Sequence, residues 1–165
     1  MTALAARLLL SGVPATGKSC FGEWLKTSHG YSVLRVDDNT LGLRMLLRLA
    51  DRSCATGVRW LANLKGPRVV VEIGFQPERD WSKWIETFRR AGFDAWWFYA
   101  DGADARQSYI RRNGTAEGFD HQWRTIESQK AVITSVFSGR MIRTLVGEAY
   151  LRPEDIARQM ATYPM

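Results

Sequence analysis

Residues 12–19 of this 165-residue chain read Gly12-Val13-Pro14-Ala15-Thr16-Gly17-Lys18-Ser19 and match the pattern G-x-x-x-x-G-K-[ST]. An apolar run precedes the motif and a helical pattern follows it, as this pattern requires. The glycines let the backbone curve around an anion, and the helix start adds the positive end of its dipole. Lys18 is then placed to reach β- and γ-phosphates, and the Ser19 hydroxyl to bind Mg²⁺. The motif therefore predicts a nucleotide site, the alternative being an ordinary glycine-rich turn between strand and helix.

Outward from the motif, short apolar runs alternate with helical patterns. The strand candidates are 5–10, 31–36, 68–73, 95–99 and 141–145; the helix candidates are 17–26, 41–50, 53–64, 78–91, 103–112, 121–137 and 153–160, with a loop at 113–119. This alternation predicts an α/β fold in which helices cover both faces of a parallel sheet. No repeat or linker interrupts the chain, so a single domain over residues 1–165 is expected.

The composition excludes several classes of protein. With 45% apolar and 24% charged residues, the chain is neither disordered, collagen-like nor a disulfide scaffold. Cys20 and Cys54 lack C-x-x-C spacing, and no run approaches the roughly 18 apolar residues of a membrane span. We therefore expect a soluble, reduced protein of the cytoplasm. The net charge of +6 comes mostly from arginine, which suits a phosphate-rich ligand or nucleic acid but also fits a codon preference for arginine.

Acidic residues follow two of the predicted strands, at the sheet edge where ligands collect. Glu72 follows three valines and is predicted to hold Mg²⁺ through water or to position a nucleophile, the alternative being a cap on a turn. Asp37 is predicted to be the general base that takes the proton of an acceptor hydroxyl. Asp38 is its neighbour and a candidate Mg²⁺ ligand, although Asp38 or Asn39 could equally cap the following helix.

Beyond the motif, two segments carry a resemblance to a known family: Arg35-Val36-Asp37-Asp38, and Val71-Glu72-Ile73-Gly74-Phe75 followed by Arg79. With them, the chain resembles the small P-loop kinases of the zeta-toxin, polynucleotide-kinase and chloramphenicol-phosphotransferase group. The resemblance implies a P-loop NTPase three-layer sandwich whose five parallel strands have the order 2-3-1-4-5. It also implies ATP with Mg²⁺ as cofactors, and a lid around residues 112–124 whose arginines close over the phosphates.

The resemblance also suggests residues outside the motif. In the lid, Arg112 with Asn113 matches the family best and is predicted to be catalytic. The family's earlier arginine is Ser108 here, so Arg106 or Arg111 is expected to substitute for it, and Arg111 is expected to contact the nucleotide. The alternative for these arginines is a solvated helix surface. The residues expected to contact the acceptor are Arg44, Trp60, Arg79 and Trp123. Trp24, Trp81 and Trp84 are expected to pack in the core or on a helix face, and Trp96 and Trp97 to face opposite sides of the sheet.

Three functions fit these features. The leading prediction is an ATP-dependent phosphotransferase that acts on a hydroxyl group of a small-molecule acceptor. The alternatives are a nucleic-acid 5′-hydroxyl kinase, which the positive charge favours, and a non-catalytic ATP-binding module, in which Asp37 and Glu72 would be dispensable. The fold class alone does not choose among acceptors.

Overall fold

The computed structural model, which describes residues 4–35, 54–75, 80–113 and 115–163, has a central sheet of five parallel strands. The strands are β1 (Arg7–Gly12), β2 (Ser32–Arg35), β3 (Val69–Glu72), β4 (Asp94–Tyr99) and β5 (Met141–Arg143). Their order is β2-β3-β1-β4-β5, so the predicted order 2-3-1-4-5 is confirmed. Because β1 pairs with β3 on one side and with β4 on the other, the motif at its C-terminal end lies at the middle of the sheet edge.

The apolar character of β1 and β3 results from burial on both faces. Leu8, Leu9 and Leu10 in β1 have no exposed surface, and neither do the three valines 69–71 in β3. Side chains of successive residues point to opposite faces of a strand, so an unbroken apolar run requires a helical layer on each side.

Seven helices in the described part of the chain supply those two layers. They are α1 (Lys18–His29), α2 (Cys54–Ala62), α3 (Trp81–Arg90), α4 (Gly102–Asn113), α5 (Ala116–Ser128), α6 (Lys130–Val136) and α7 (Pro153–Thr162). Phe21 and Leu25 of α1 pack with Ile156 and Met160 of α7 on one face of the sheet. The other face is covered by residues from α2, α3, α5 and α6. The predicted three-layer sandwich is therefore confirmed.

The tryptophans of the core lie largely where the pattern placed them. Trp96 belongs to the core on the α1 side and Trp97 to the core on the opposite side, which confirms the opposite-face prediction. Trp81 and Trp84 are buried as predicted. Trp24 is only half-buried, and its ring stacks on Phe21 with the centroids 5.6 Å apart.

The predicted loop at 113–119 is wrong for most of its length. Helix α4 includes residue 113, and α5 already begins at Ala116 after an extended Thr115. The glycines and polar residues of this stretch resemble a loop in sequence. Tertiary packing prevails, because Phe119 is buried against Tyr109 with the ring centroids 5.6 Å apart.

Two further elements near the C-terminal side differ from the sequence prediction. The predicted helix 121–137 is two helices, α5 and α6, which are separated at Gln129. The predicted strand 141–145 ends at Arg143, and a hairpin of β6 (Leu145–Val146) and β7 (Ala149–Tyr150) follows it. The predicted helix 41–50 lies outside the described residues.

Candidate active site

The motif begins with a glycine that no other residue could replace without moving the sheet. Gly12 ends β1 with a φ of 142°, and a Cβ there would lie 2.0 Å from the Phe98 carbonyl oxygen. The next residue, Val13, donates its N–H to that same oxygen at 2.9 Å. The loop therefore leaves the sheet in direct contact with β4, and only glycine fits this approach.

The loop then turns back on itself to start helix α1. Ala15 has a φ of 58° and Gly17 a φ of 83°, both in the left-handed region. The first hydrogen bond of α1 runs from the Phe21 N–H to the Gly17 carbonyl at 3.0 Å, which leaves the amides of residues 18–20 outside the ladder of the helix. Together with the helix dipole, these amides form a site suited to phosphate.

Side chains from distant parts of the chain hold this loop by its carbonyl groups. The Thr16 hydroxyl donates to the Val13 carbonyl at 2.7 Å within the loop. The Thr144 hydroxyl donates to the Thr16 carbonyl at 2.6 Å, and the Tyr150 hydroxyl to the Ala15 carbonyl at 2.7 Å. Because these bonds occupy carbonyl groups on the outside of the turn, they help to keep its N–H groups directed inward.

Lys18 lies across the loop that it follows. Its ammonium donates to the Val13 carbonyl at 2.7 Å and to the Gly12 carbonyl at 3.3 Å. Both acceptors belong to the motif, so the charge lies at the place where the pattern predicts phosphate.

Glu72, at the end of β3, lies against the first turns of α1. A Cβ on Gly22 would come within 1.8 Å of its Oε1 atom, so the glycine in the helix makes room for the carboxylate. Burial raises the pKa of Glu72, while the Arg35 charge and the nearby Ser19 hydroxyl act in the opposite direction. Its Oε1 atom is buried without a hydrogen-bond partner of good geometry.

Arg35 connects Glu72 to helix α1. Its Nε donates to Glu72 Oε2 at 3.3 Å, and an Nη atom donates to the Ser19 carbonyl and to Glu23 Oε2, each at 3.4 Å. The parallel pairing of β2 with β3 places Arg35 directly beside Glu72, so register creates the contact. In the sequence Arg35 is visible only as part of a family segment, and nothing local to it signals this contact.

The Ser19 hydroxyl and the Glu72 carboxylate are hard oxygen donors on adjacent elements. A buried carboxylate oxygen without a partner, beside a hydroxyl of the motif, fits the ligand preference of Mg²⁺. These two residues, predicted as metal ligands, are brought together by the fold. Asp38 and the predicted base Asp37 lie outside the described residues, and so do Arg44 and Arg79.

The arginines of α4 divide between two surroundings. Arg106 pairs with Asp120 of α5 at 2.8 Å. Arg111 and Arg112 instead line a depression of about 360 Å³ above the motif, together with Gly17, Cys20, Ser108, Glu148 and Tyr150. In the depression Arg111 pairs with Glu148 at 3.2 Å. Arg112, which the resemblance favours, and Arg111 therefore line the depression beside the loop, and the other candidate substitute, Arg106, does not.

The hairpin of β6 and β7 contributes a residue that the sequence analysis missed. The Tyr150 hydroxyl bonds to that of Ser108 on α4 as well as to the loop, and its ring lies 3.1 Å from the Cβ position of Gly17. A glycine, Gly147, between two short apolar segments was the available signal for this hairpin.

The two tryptophans predicted at the acceptor site are separated. Trp123 of α5 lines a cavity next to the motif, together with Val13. Trp60 of α2 is half-buried against the core on that face and is not among the described residues that line the cavity.

None of the helices in the described part of the chain has the length and apolar character of a membrane-spanning segment.

A known structure shares this architecture. A gluconokinase from Sinorhizobium meliloti 1021 superposes with a TM-score of 0.55 at 15% identity, over 96% of this chain and 91% of that one. The fold is the three-layer sandwich of the P-loop NTPases. A protein from Chloroflexus aurantiacus that is only provisionally named a kinase has a TM-score of 0.46 at 15% identity, over 94% of each chain.

Comparison by sequence finds no match for this P-loop NTPase fold. No protein-family profile matches the chain, and no curated protein is similar to it in sequence. The assignment to the fold therefore rests on the sheet order, the motif and the superposition with the gluconokinase.

Proposed function

We propose that the chain is an ATP-dependent phosphotransferase that moves the γ-phosphate of ATP to a hydroxyl group of a small-molecule acceptor. The observation that carries the proposal is the joint position of Lys18, Ser19 and the buried Glu72 around the loop of residues 12–19. A strand-to-helix turn without this task has no need of a buried carboxylate beside its first helical turn, because burial of that group is costly. The gluconokinase with the same fold is itself named a kinase.

In this proposal the motif binds the phosphates of ATP through its amides, and Lys18 exchanges its loop carbonyls for β- and γ-phosphate oxygens. Arg111 and Arg112 approach the same phosphates from α4, where positive charge stabilises the transferring group. The acceptor oxygen attacks the γ-phosphorus, and the bond to the oxygen bridging the β- and γ-phosphates breaks. Asp37 takes the proton that the acceptor hydroxyl loses.

The Ser19 hydroxyl and Glu72 are the proposed Mg²⁺ ligands among the described residues, with Asp38 as a further candidate from the sequence. When bound, the ion neutralises charge on the β- and γ-phosphates. Arg35 keeps the Glu72 side chain directed at Ser19 through its bonds to both residues. The proposed compartment is the cytoplasm, in accord with the free Cys20 thiol.

A nucleic-acid 5′-hydroxyl kinase has less support. Several arginines that a nucleic-acid surface would need are paired with carboxylates of the chain itself. These pairs are Arg106 with Asp120, Arg143 with Asp101, and Arg152 with Asp155. Pairing lowers the charge available to a phosphate backbone.

The experiment is a screen for ADP release with wild type and Lys18→Met, using alcohols, nucleosides, aminoglycosides, sugars and 5′-hydroxyl oligonucleotides as acceptors. We expect turnover with a small molecule and a loss of at least about 10²-fold in Lys18→Met, because the ammonium neutralises charge in the transition state. Lys26→Met is the matched control, since Lys26 lies exposed on the same helix. Equal turnover by wild type and Lys18→Met, or stimulation by oligonucleotides alone, would overturn the proposal.

Asp37→Asn separates catalysis from binding. The amide keeps the size of the side chain but cannot take the proton, so turnover should fall by about 10²- to 10⁴-fold while ATP affinity stays nearly constant. Asp38→Asn removes the neighbouring charge and should alter the Mg²⁺ dependence first. Normal turnover in Asp37→Asn with a crippled Asp38→Asn would reassign the base to Asp38.

A further inference from the structure

The cavity beside the motif has the dimensions of a binding site for a small organic molecule. Its volume is about 580 Å³, within the roughly 300–1,000 Å³ that is typical of ligand sites. Val13 of the motif forms one side, and residues of β4, α5 and α6 form the others. A molecule in this cavity therefore lies next to the loop that is proposed to hold the phosphates, on the face of the sheet away from α1.

Aromatic rings form a large part of the cavity wall. Trp97 is buried behind it, and Tyr99 and Trp123 are partly exposed to it. Trp123 has a fixed orientation, because its ring lies 2.7 Å from the Cβ position of Gly102 and stacks on Phe119 at 5.7 Å and 16°. A pre-oriented indole binds a flat or cyclic group with little loss of side-chain entropy.

The charged groups of the wall already have partners. The Asp101 carboxylate is bound by Arg143, and Glu127 pairs with Lys130 at 3.5 Å. Asp101, Glu127 and Lys130 are the charged side chains among the described residues that line the cavity. A charged molecule would compete with one of these exposed pairs or leave its own charge unpaired beside aromatic rings, which disfavours it modestly relative to an uncharged molecule.

We propose that this cavity binds the phosphoryl acceptor, and that the acceptor is an uncharged alcohol that carries an aromatic or alicyclic ring. The assignment of the bound molecule as acceptor rests on the proposed phosphotransferase function. The ring packs on Trp123 and Trp97, while a hydroxyl group extends past Val13 toward the phosphates. Sugar acids and phosphorylated acceptors are disfavoured, since the described wall offers no cation that is not already paired with a carboxylate.

The test uses three compounds with the same ring and benzylic hydroxyl but different charge: 1-phenyl-1,2-ethanediol, mandelate and 2-amino-1-phenylethanol. Indole N–H resonances of ¹⁵N-labelled protein are followed during titration without nucleotide, and Trp123 is assigned with Trp123→Phe. We expect the diol to shift the Trp123 and Trp97 resonances but not that of Trp24, which packs on the other face. The two charged analogues should bind at least about fivefold more weakly, the equivalent of about 1 kcal/mol for one broken ion pair.

Two variants test the role of the indole. Trp123→Ala should weaken diol binding about five- to tenfold, whereas Trp24→Ala should leave it unchanged. Gly102→Ala should weaken it without removing an aromatic group, because the added methyl displaces the Trp123 ring. Circular dichroism checks that each variant is folded.

The inference is overturned if the diol shifts neither resonance near its solubility limit, or if either charged analogue binds as tightly as the diol. Because the titration requires neither ATP nor turnover, it separates the two proposals. Diol binding without ADP release for any acceptor would contradict the phosphotransferase. ADP release with sugar acids, unaffected by Trp123→Ala, would contradict the cavity assignment alone.

Discussion

Two glycines determine the positions of the charged residues in the site. Gly12 allows the motif to touch the backbone of β4, and Gly22 leaves the space in α1 that the Glu72 carboxylate fills. Neither position would be noticed from helix or strand propensity, because each glycine is required by a neighbour distant in sequence. Both are direct targets for substitution.

Gly12→Ala should lower the free energy of unfolding by about 3 kcal/mol, since the methyl collides with the Phe98 carbonyl and the φ of 142° disfavours any side chain. Gly139→Ala is the matched control. Gly139 also has a positive φ, 69°, but a Cβ there meets nothing within 4 Å, so its cost should be only about 1 kcal/mol. Denaturant unfolding measures both, and equal losses would contradict the steric argument.

Glu72→Gln should stabilise the metal-free protein at neutral pH. Burial raises the pKa of Glu72 above its ordinary 4.5, so the folded state favours the protonated carboxyl. The stability that this protonated group contributes is present at low pH and is lost as the pH rises through the pKa of the folded state. Glutamine is neutral throughout. The difference in unfolding free energy between Glu72→Gln and wild type is measured with EDTA and without nucleotide. It should shrink as the pH is lowered toward 4.5, the ordinary pKa of a glutamate.

Glu23→Gln provides the control of opposite sign. Hydrogen bonding to Lys26, with a smaller contribution from Arg35, lowers the pKa of Glu23, so its contribution is present at neutral pH and lost in acid. This variant should be slightly less stable than wild type at neutral pH. A gain in stability in Glu23→Gln, or a loss in Glu72→Gln, would refute the role assigned to burial.

At the scale of elements, the hairpin of β6 and β7 links the phosphate loop to helix α4. Tyr150 bonds to the loop and to Ser108 at the same time, and Gly147 is tied to Asp104 of α4 through its N–H at 2.7 Å. A movement of α4, which carries Arg111 and Arg112, is thus coupled mechanically to the loop that faces them.

Tyr150→Phe should raise the Kd for ATP about fivefold and speed hydrogen exchange at amides 15–17. The ring stays beside Gly17, but one net hydrogen bond, worth about 1 kcal/mol, no longer holds the Ala15 carbonyl. Tyr31→Phe is the control, because its hydroxyl makes the same kind of bond to the Ala5 carbonyl at 2.8 Å, at the other end of β1. An equal change in Kd for Tyr31→Phe would contradict a local effect.

At the scale of the whole molecule, the sequence was sufficient for the architecture but not for the surroundings of the site. The motif and the buried valine strand identified the phosphate loop and Glu72 because those signals are local. The contact between Arg35 and Glu72 depends on strand register, and the cavity depends on how α5 and α6 pack over β4. Neither can be read from spacing along the chain. The stretch 113–119 was misjudged since burial of Phe119 outweighs its loop-like composition.

Binding of ATP should stabilise the entire fold. The loop connects β1 to α1 in the middle of the sheet, so it forms only when the sheet is folded. A ligand that binds only the native state raises the free energy of unfolding by about 2.7 kcal/mol when it is in hundredfold excess over Kd. Thermal unfolding with Mg²⁺ and ATP measures this shift. AMP, which lacks the β- and γ-phosphates, should give a much smaller one, and Lys18→Met should reduce the response to ATP. An equal shift with AMP would contradict phosphate binding at residues 12–19.

The hydrogen bonds from Thr144 and Tyr150 to the carbonyl groups of Thr16 and Ala15 can form only late in synthesis, after position 150 has been added to the chain. Residues 12–19 of a growing chain leave the ribosome before every segment that follows them. The hydroxyl groups that hold this loop follow about 130 residues later, with separations of 128 and 135 positions. The nascent polypeptide should therefore retain ATP poorly until position 150 has emerged. Ribosome-stalled chains ending before and after the hairpin, captured on immobilised nucleotide, would measure when this competence arises.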